Sequence, residues 1–351
     1  MNKKFLVKAA AVVAAIGLTA TASPAFAGES IAGKGSSFAN LALTYCAAHW
    51  DPATNDVATY TSTGSGTGRT EFAAGNVAWA ATDSPYGSAD AQPTDYQTIP
   101  LLGGPVVFAY NKNSGIPAGL KLSAAVISKI FTGGITKWNA AAIAKLNPGK
   151  TLPAKTIKVF YRNASGTTEN LTNYLSQTVS STLWVKSKDL DKATKTLAAG
   201  STLKATSALI ADRVQNTKYA FGYFDLSDAV SAKVSYAALK NASGQFVLPT
   251  AAAGAKFLAG QTTVVDAASP RTDGTLTIDF TKKIANAYQL TIVTYGLAPK
   301  AADSTKAAAV EAWFKYVVGS CMPAQASKLG YVPLPAKLKT SALAQIALIK
   351  K

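Results

Sequence analysis

The sequence predicts an α/β protein built on mostly parallel sheet. The first observation is an alternation of strand-like and helix-like runs along the chain. The second is composition: 48% hydrophobic and 15% charged residues suit a folded globular chain rather than a disordered one. The third is length, because 351 residues fit two domains or one large one.

Residues 57–63 alternate and are β-branched, so they read as a strand. Residues 77–82 form an apolar run that stops at the turn Asp83-Ser84-Pro85. Further strands are expected at 105–110, 157–161, 219–224 and 290–295. Helical runs lie between them, at 38–50, 122–131 and 139–146, the last stopped by Asn147-Pro148-Gly149. Others follow at 167–175, 203–214, 307–318 and 342–350. No internal repeat or low-complexity segment interrupts the pattern.

The chain opens Met1-Asn2-Lys3-Lys4-Phe5, continues with a short apolar stretch and reaches Ala25-Phe26-Ala27. A charged start, an apolar centre and an Ala-x-Ala site make a secretory signal peptide over residues 1–27, cleaved after Ala27. The stretch is too short and Ala-rich to span a bilayer, and no later run reaches ~20 apolar residues. The mature chain is therefore expected in the periplasm or secreted, not membrane-inserted. Export permits a disulfide between Cys46 and Cys321, the only intramolecular pairing two cysteines allow; the alternative is two separate buried thiols.

The formal net charge is +17, and losing Lys3, Lys4 and Lys8 with the leader brings it to +14. Only four basic residues are arginines: Arg69, Arg162, Arg213 and Arg271. Readers of nucleic acid favour clustered arginine, so that class of partner is not expected. One His and two Cys leave too few ligands for a zinc or iron site. No metal is therefore assigned.

Three loops combine small residues, hydroxyls and a following helix. They are Gly33-Lys34-Gly35-Ser36-Ser37-Phe38, then Thr63-Gly64-Ser65-Gly66-Thr67-Gly68, then Arg162-Asn163-Ala164-Ser165-Gly166-Thr167-Thr168. Free N–H groups at a helix start, with the helix dipole, favour an oxyanion. Each loop alone is also ordinary turn and cap chemistry. None is a Walker loop, and neither G-x-G completes the dinucleotide spacing, so no nucleotide or other cofactor is expected. Arg162 ends a strand at the third loop, and a surface salt bridge is its bland alternative. Asp83 ends an apolar strand, where a carboxylate is costly without partners; a turn cap is its alternative.

These segments, in this order, resemble the periplasmic phosphate-binding proteins of ABC phosphate importers, the PstS family. The resemblance rests on Gly33 to Phe38, Gly64-Ser65-Gly66, Ala81-Thr82-Asp83-Ser84-Pro85 and the Arg162 loop. It also rests on Leu329-Gly330-Tyr331-Val332-Pro333 and, most specifically, on the block from Ile127 to Leu152. It implies a two-lobed type II periplasmic binding protein fold with a ligand cleft between lobes. Lobe I would take residues 28–108 and the return segment 292–351, and lobe II residues 109–291. Both cysteines would then share lobe I.

The resemblance implies inorganic phosphate held by Ser37, Phe38 through its N–H, Ser65, Asp83, Arg162, Ser165, Gly166 and Thr167. Asp83 would accept the phosphate proton that sulfate lacks. The implied role is a monomeric, non-enzymatic receptor that captures phosphate and hands it to an ABC permease. One departure is clear: only Asn163 and Ala164 separate Arg162 from Ser165, and the family's loop Asp that pairs with the arginine is absent. Arg69 is a second candidate for the cleft. A DING-type phosphatase and a secreted surface or biofilm protein are the competing functions. A hydrolase triad would have to use His49, the single histidine, which sits at an expected helix end.

Overall fold

The computed structural model describes residues 28–87, 90–261, 275–302 and 304–350. The expected signal peptide, residues 1–27, lies outside them.

The chain begins with β1 (Ser30–Gly35), α1 (Asn40–Ala48), β2 (Val57–Ser62), α2 (Ser65–Ala73) and β3 (Trp79–Thr82). Strand β1 pairs in parallel with β2 on one side and β3 on the other. Sequence reading takes residues 33–38 as a loop, but Gly33 and Gly35 belong to β1. Their missing side chains serve packing. A Cβ on Gly33 would sit 2.2 Å from the Trp79 ring, and one on Gly35 2.0 Å from the Ala81 carbonyl oxygen. Only Ser36 to Ala39 remain as the connection to α1.

The long strand β4 (Tyr96–Tyr110) follows. Its first ten residues pair antiparallel with β12 (Thr291–Pro299), and residues 106–110 pair antiparallel with β8 (Ala220–Asp225). One strand thus serves both halves of the molecule. Its first half escapes sequence reading because Pro100, Gly103 and Gly104 look like turn signals. The ladder tolerates Pro100 at a register shift opposite Thr294/Tyr295.

Between β4 and β8 lie β5 (Lys121–Leu122), α3 (Ala124–Phe131), α4 (Ala141–Leu146), β6 (Lys158–Tyr161), α5 (Gly166–Thr178), α6 (Leu190–Ala193), β7 (Thr202–Leu203) and α7 (Ser207–Asn216). After β8 come α8 (Leu226–Ser231), β9 (Ser235–Tyr236), β10 (Ala238–Lys240), β11 (Phe246–Val247) and α9 (Ala251–Ala259). Strand β6 pairs in parallel with β7 and β8. The main sheet runs β2-β1-β3-β12-β4-β8-β6-β7. The expectation of mostly parallel sheet is met within each half only. Wherever the chain crosses between halves, at β4 and β12, the pairing is antiparallel.

The chain ends with α10 (Thr305–Tyr316), a π turn over Val317–Cys321, α11 (Met322–Gln325) and α12 (Ala336–Ile346). Cys321 is bonded to Cys46 of α1, which ties the last segment back to the first. Trp79, Trp313 and Phe314 pack together beneath β1 and β3. In the other half Trp138 is fully buried against Tyr110 and Phe221. Asn147 closes that unit by bonding both the N–H and the carbonyl of Lys121, at 2.8 and 2.9 Å. The block from Ile127 to Leu152 is therefore framework, not binding surface.

Candidate functional site

Asp83 stands at the end of β3, on the seam between the two lobes, and is 3% exposed. Ser36 Oγ and Thr294 Oγ1 donate to its Oδ1 at 2.6 and 2.7 Å. Ser65 Oγ and Thr167 Oγ1 approach Oδ2 at 3.2 and 3.4 Å. Thr167 comes from the other lobe, at the start of α5. Burial pushes the Asp83 carboxyl above its ordinary range, against hydrogen bonds from Ser36 and Thr294, the charge of Arg162 and a bond from Ser65.

The approach of the lobes here is close. A Cβ on Gly166 would lie 2.5 Å from Ser65 Oγ and 2.9 Å from Asp83 Cβ. Glycine at this position is what lets α5 reach Asp83. Gly66 N–H also donates across the seam to the Ala164 carbonyl, at 3.0 Å. Ala164 holds φ 49°, a left-handed conformation that costs a side-chain-bearing residue about 1–2 kcal/mol. Asp189 Oδ1 accepts from its N–H at 2.8 Å, which fixes this turn. The shortened loop is thus closed by an αL residue held by a carboxylate 25 residues away.

Arg162 directly follows β6 and is 1% exposed. Its Nη1 donates to Ser207 Oγ at 3.1 Å and approaches Thr167 Oγ1 at 3.5 Å. Its Nε meets no acceptor among the described residues. Burial pulls the guanidinium below the usual arginine range, while the charges of Tyr223, Asp83, Asp225 and Asp228 hold it up. A surface salt bridge, the bland reading, is excluded by this burial.

Ser37 meets the start of α7 at Ser207: its Oγ accepts from the Ser207 N–H at 3.2 Å. The Phe38 ring is buried edge-on against Tyr331, whose hydroxyl donates to the Phe38 carbonyl at 2.8 Å. The Phe38 N–H has no protein acceptor among the described residues. Ser165 Oγ accepts from Thr168 N at 3.2 Å, so it caps α5. Ser65, Asp83, Gly166 and Thr167 are therefore in direct contact. Arg162 joins them through Thr167, Ser37 joins Arg162 through Ser207, and Phe38 and Ser165 flank them.

Sequence reading missed Ser36, Ser207 and Thr294. Ser207 opens α7 behind the cap residue Thr206, a signal visible in the sequence but lost when the helix is started at residue 203. Thr294 lies mid-strand, where nothing in the sequence separates it from a packing residue.

Arg69 does not enter this site. Its Nη1 donates to Ser84 Oγ at 2.7 Å and to the Ser84 and Pro85 carbonyls at 3.0 and 3.2 Å. It pairs with Asp90 at 3.3 Å and with Glu169 of α5 at 3.6 Å. Ser84 Oγ also donates to Glu169, at 2.7 Å, and Lys188 pairs with Asp90 at 2.8 Å. Arg69 is thus the centre of a second, polar contact between lobes. His49 is exposed at the end of α1, stacked on Tyr45 and bonded to the Tyr45 carbonyl.

The arrangement brings buried hydroxyls, one buried arginine and one buried carboxylate together at a single seam. A family model described as a PBP superfamily domain matches residues 20–320. The phosphate-binding protein PstS of Xylella fastidiosa is 32% identical over 315 residues, 88% of this chain and 82% of its own. PstS of Haemophilus influenzae is 34% identical over 234 residues, 66% of this chain and 69% of its own. Among solved structures, a high affinity periplasmic phosphate-binding protein, PfluDING, bound with phosphate, superposes with a TM-score of 0.73. It is 21% identical and covers 90% of this chain and 93% of its own, which bears on the fold alone. Fold, order of motifs and sequence identity agree: the chain belongs to the PstS family of phosphate-binding proteins, with the two-lobed type II fold.

Proposed function

We propose that this protein captures inorganic phosphate between its lobes and presents it to an ABC phosphate importer. One observation carries the reading. A buried carboxylate and a buried arginine face the same seam, with hydroxyl donors from both lobes between them. The ligand set is Ser37, Phe38 through its N–H, Ser65, Asp83, Arg162, Ser165, Gly166 and Thr167, with Ser207 added. The division into lobe I (28–108 and 292–351) and lobe II (109–291) makes the set bipartite, so binding and closure are one event. Ser36 and Thr294 belong to a layer behind the ligand that aims Asp83.

Arg162 supplies a planar, charge-assisted donor pair for two phosphate oxygens. Asp83 supplies the selectivity. Phosphate near neutral pH keeps at least one proton, which a carboxylate accepts; sulfate has none to give. A buried mismatch of that kind costs on the order of a hundredfold in affinity or more.

The protein is a receptor and not an enzyme in this reading. The single histidine is bonded within α1 and touches none of the site residues. Residues 1–27 direct export and are removed, which leaves the mature chain periplasmic or secreted. Among the described residues, no helix is long and apolar enough to cross a membrane. The test is calorimetric titration of phosphate into mature protein that has been unfolded and dialysed to strip ligand. Saturable one-to-one binding, with no phosphate released from a phosphomonoester, is expected. Absence of binding heat from refolded protein would sink the reading.

A further inference from the structure

The two oxygens of Asp83 are held unequally. Oδ1 accepts two short hydrogen bonds, from Ser36 Oγ at 2.6 Å and from Thr294 Oγ1 at 2.7 Å. Oδ2 meets longer contacts, with Ser65 Oγ at 3.2 Å and Thr167 Oγ1 at 3.4 Å. A carboxylate oxygen has two lone pairs, so the two short bonds use Oδ1 fully. The hydroxyls at Oδ2 belong to the proposed ligand set, and each has one proton to turn toward an arriving oxyanion.

Both Oδ1 donors come from the sheet on either side of β3. Strand β1 lies along one side, and just beyond it the Ser36 N–H donates to the Ala81 carbonyl at 2.7 Å. Strand β12 lies along the other, with Tyr295 opposite Thr82, which brings Thr294 level with Asp83. Ser36 and Thr294 are fully buried. Ser36 Oγ also accepts from the Ala39 N–H at 3.2 Å, so its own proton is left for Asp83. The Tyr60 hydroxyl fixes the Ser36 peptide by donating to its carbonyl at 2.6 Å. The Asp83 main chain is fixed as well: its N–H donates to Ser65 Oγ at 3.1 Å, and its carbonyl accepts from Asn170 Nδ2 at 2.7 Å.

We propose that Ser36 and Thr294 are positioning residues for specificity: by saturating Oδ1 from the sheet, they assign the phosphate proton to Oδ2 and keep Asp83 an acceptor. This rests on the phosphate reading above. Both residues act through Asp83, so their effect falls on the choice between anions. A buried carboxylate short of donors takes up a proton, and a protonated carboxyl donates to sulfate. Burial pushes Asp83 that way, while the bonds from Ser36 and Thr294, the charge of Arg162 and the bond from Ser65 pull against it. Losing one Oδ1 donor lets burial prevail at a higher pH. The titratable groups that face Asp83 are Arg162, which follows β6, and Tyr60 of β2. Arg69 and Glu169 turn to Ser84 instead.

The test is calorimetric titration of phosphate and sulfate between pH 4.5 and pH 8 into the wild type, Thr294→Val, Thr294→Ser and Ser36→Ala, each checked for fold by circular dichroism. Phosphate ionisation is common to all four proteins, so differences between them report on Asp83. Thr294→Val keeps the shape and removes the hydroxyl. Its preference for phosphate over sulfate should fall roughly tenfold at pH 7.5, and the pH at which half the preference is lost should rise by about one unit. Thr294→Ser should restore both. Ser36→Ala should move both in the same direction as Thr294→Val, and it decides the matter if Thr294→Val does not fold. Equal loss of phosphate and sulfate affinity in Thr294→Val and Ser36→Ala, with the pH midpoint unmoved, would overturn the proposal and leave the receptor reading intact. No phosphate binding by the refolded wild type would overturn both.

Discussion

At the scale of residues, Asp83 trades stability for selectivity. Its folded carboxyl titrates above its ordinary value of 3.8, chiefly because of burial. The sign follows from linkage: the folded state gains from the proton, so this group's contribution is fullest below ~4 and is lost as pH rises through the raised value. Asp83→Asn removes the buried charge and keeps an acceptor for Ser36 and Thr294. The melting temperature of the variant should rise at pH 7 and match the wild type more closely in acid; a lower melting temperature at pH 7 would contradict this. The same titration bears on function. Below its raised value Asp83 carries a proton and donates to sulfate, so the preference for phosphate should weaken as pH falls. Asp83 and Arg162 were legible in the sequence because each is chemically out of place: a carboxylate at the end of an apolar strand, a rare arginine beside hydroxyls. Ser36, Ser207 and Thr294 were not, since a hydroxyl beside a strand or helix end has many uses.

At the scale of elements, the helices were easier to read than the strands. The block from residue 139 to 149 carries its own stop signal, and α4 ends at Leu146 as expected. Strand β1 was lost because Ser30–Gly35 has one β-branched residue and two glycines. Those glycines answer to Trp79 and Ala81, partners 46 residues further on, which a local pattern does not contain. The Cys46–Cys321 bond spans 275 residues and joins α1 to the turn after α10. Closing so long a loop is worth up to about 5 kcal/mol by the chain-entropy account, and measured values fall lower. Replacing both cysteines by alanine should lower the melting temperature by several degrees. Phosphate affinity should hold within about twofold, because the bond joins α1 to the turn after α10 and neither cysteine contacts Asp83 or Arg162; a tenfold loss of affinity would contradict that separation.

At the scale of the whole molecule, two of the polar contacts between the lobes have different duties. One surrounds Asp83 and is the proposed phosphate site. The other links Arg69, Ser84 and Asp90 to Glu169, Lys186 and Lys188. Arg69 and Glu169 are buried here, so this contact is not the weakly contributing kind of exposed pair. Glu169→Ala should favour the open form and weaken phosphate roughly tenfold through lost closure, with no change in the phosphate-to-sulfate preference. Small-angle scattering of the ligand-free variant should show a larger radius of gyration than the wild type; an unchanged radius and affinity would assign the contact to stability alone. The two-lobed architecture was not derivable from alternation of strands and helices, which predicts mostly parallel sheet. It was legible only through resemblance, because the antiparallel crossing of β4 and β12 joins residues nearly 200 positions apart.

The most direct test of the account is competition between phosphate and sulfate in the wild type and in Asp83→Asn, measured by calorimetric displacement at pH 7.5. The wild type should bind phosphate one-to-one with sulfate at least about a hundredfold weaker, and Asp83→Asn should lose most of that preference. Equal displacement of phosphate by sulfate in the wild type, or an unchanged preference in the variant, would contradict Asp83 as the group that reads the proton.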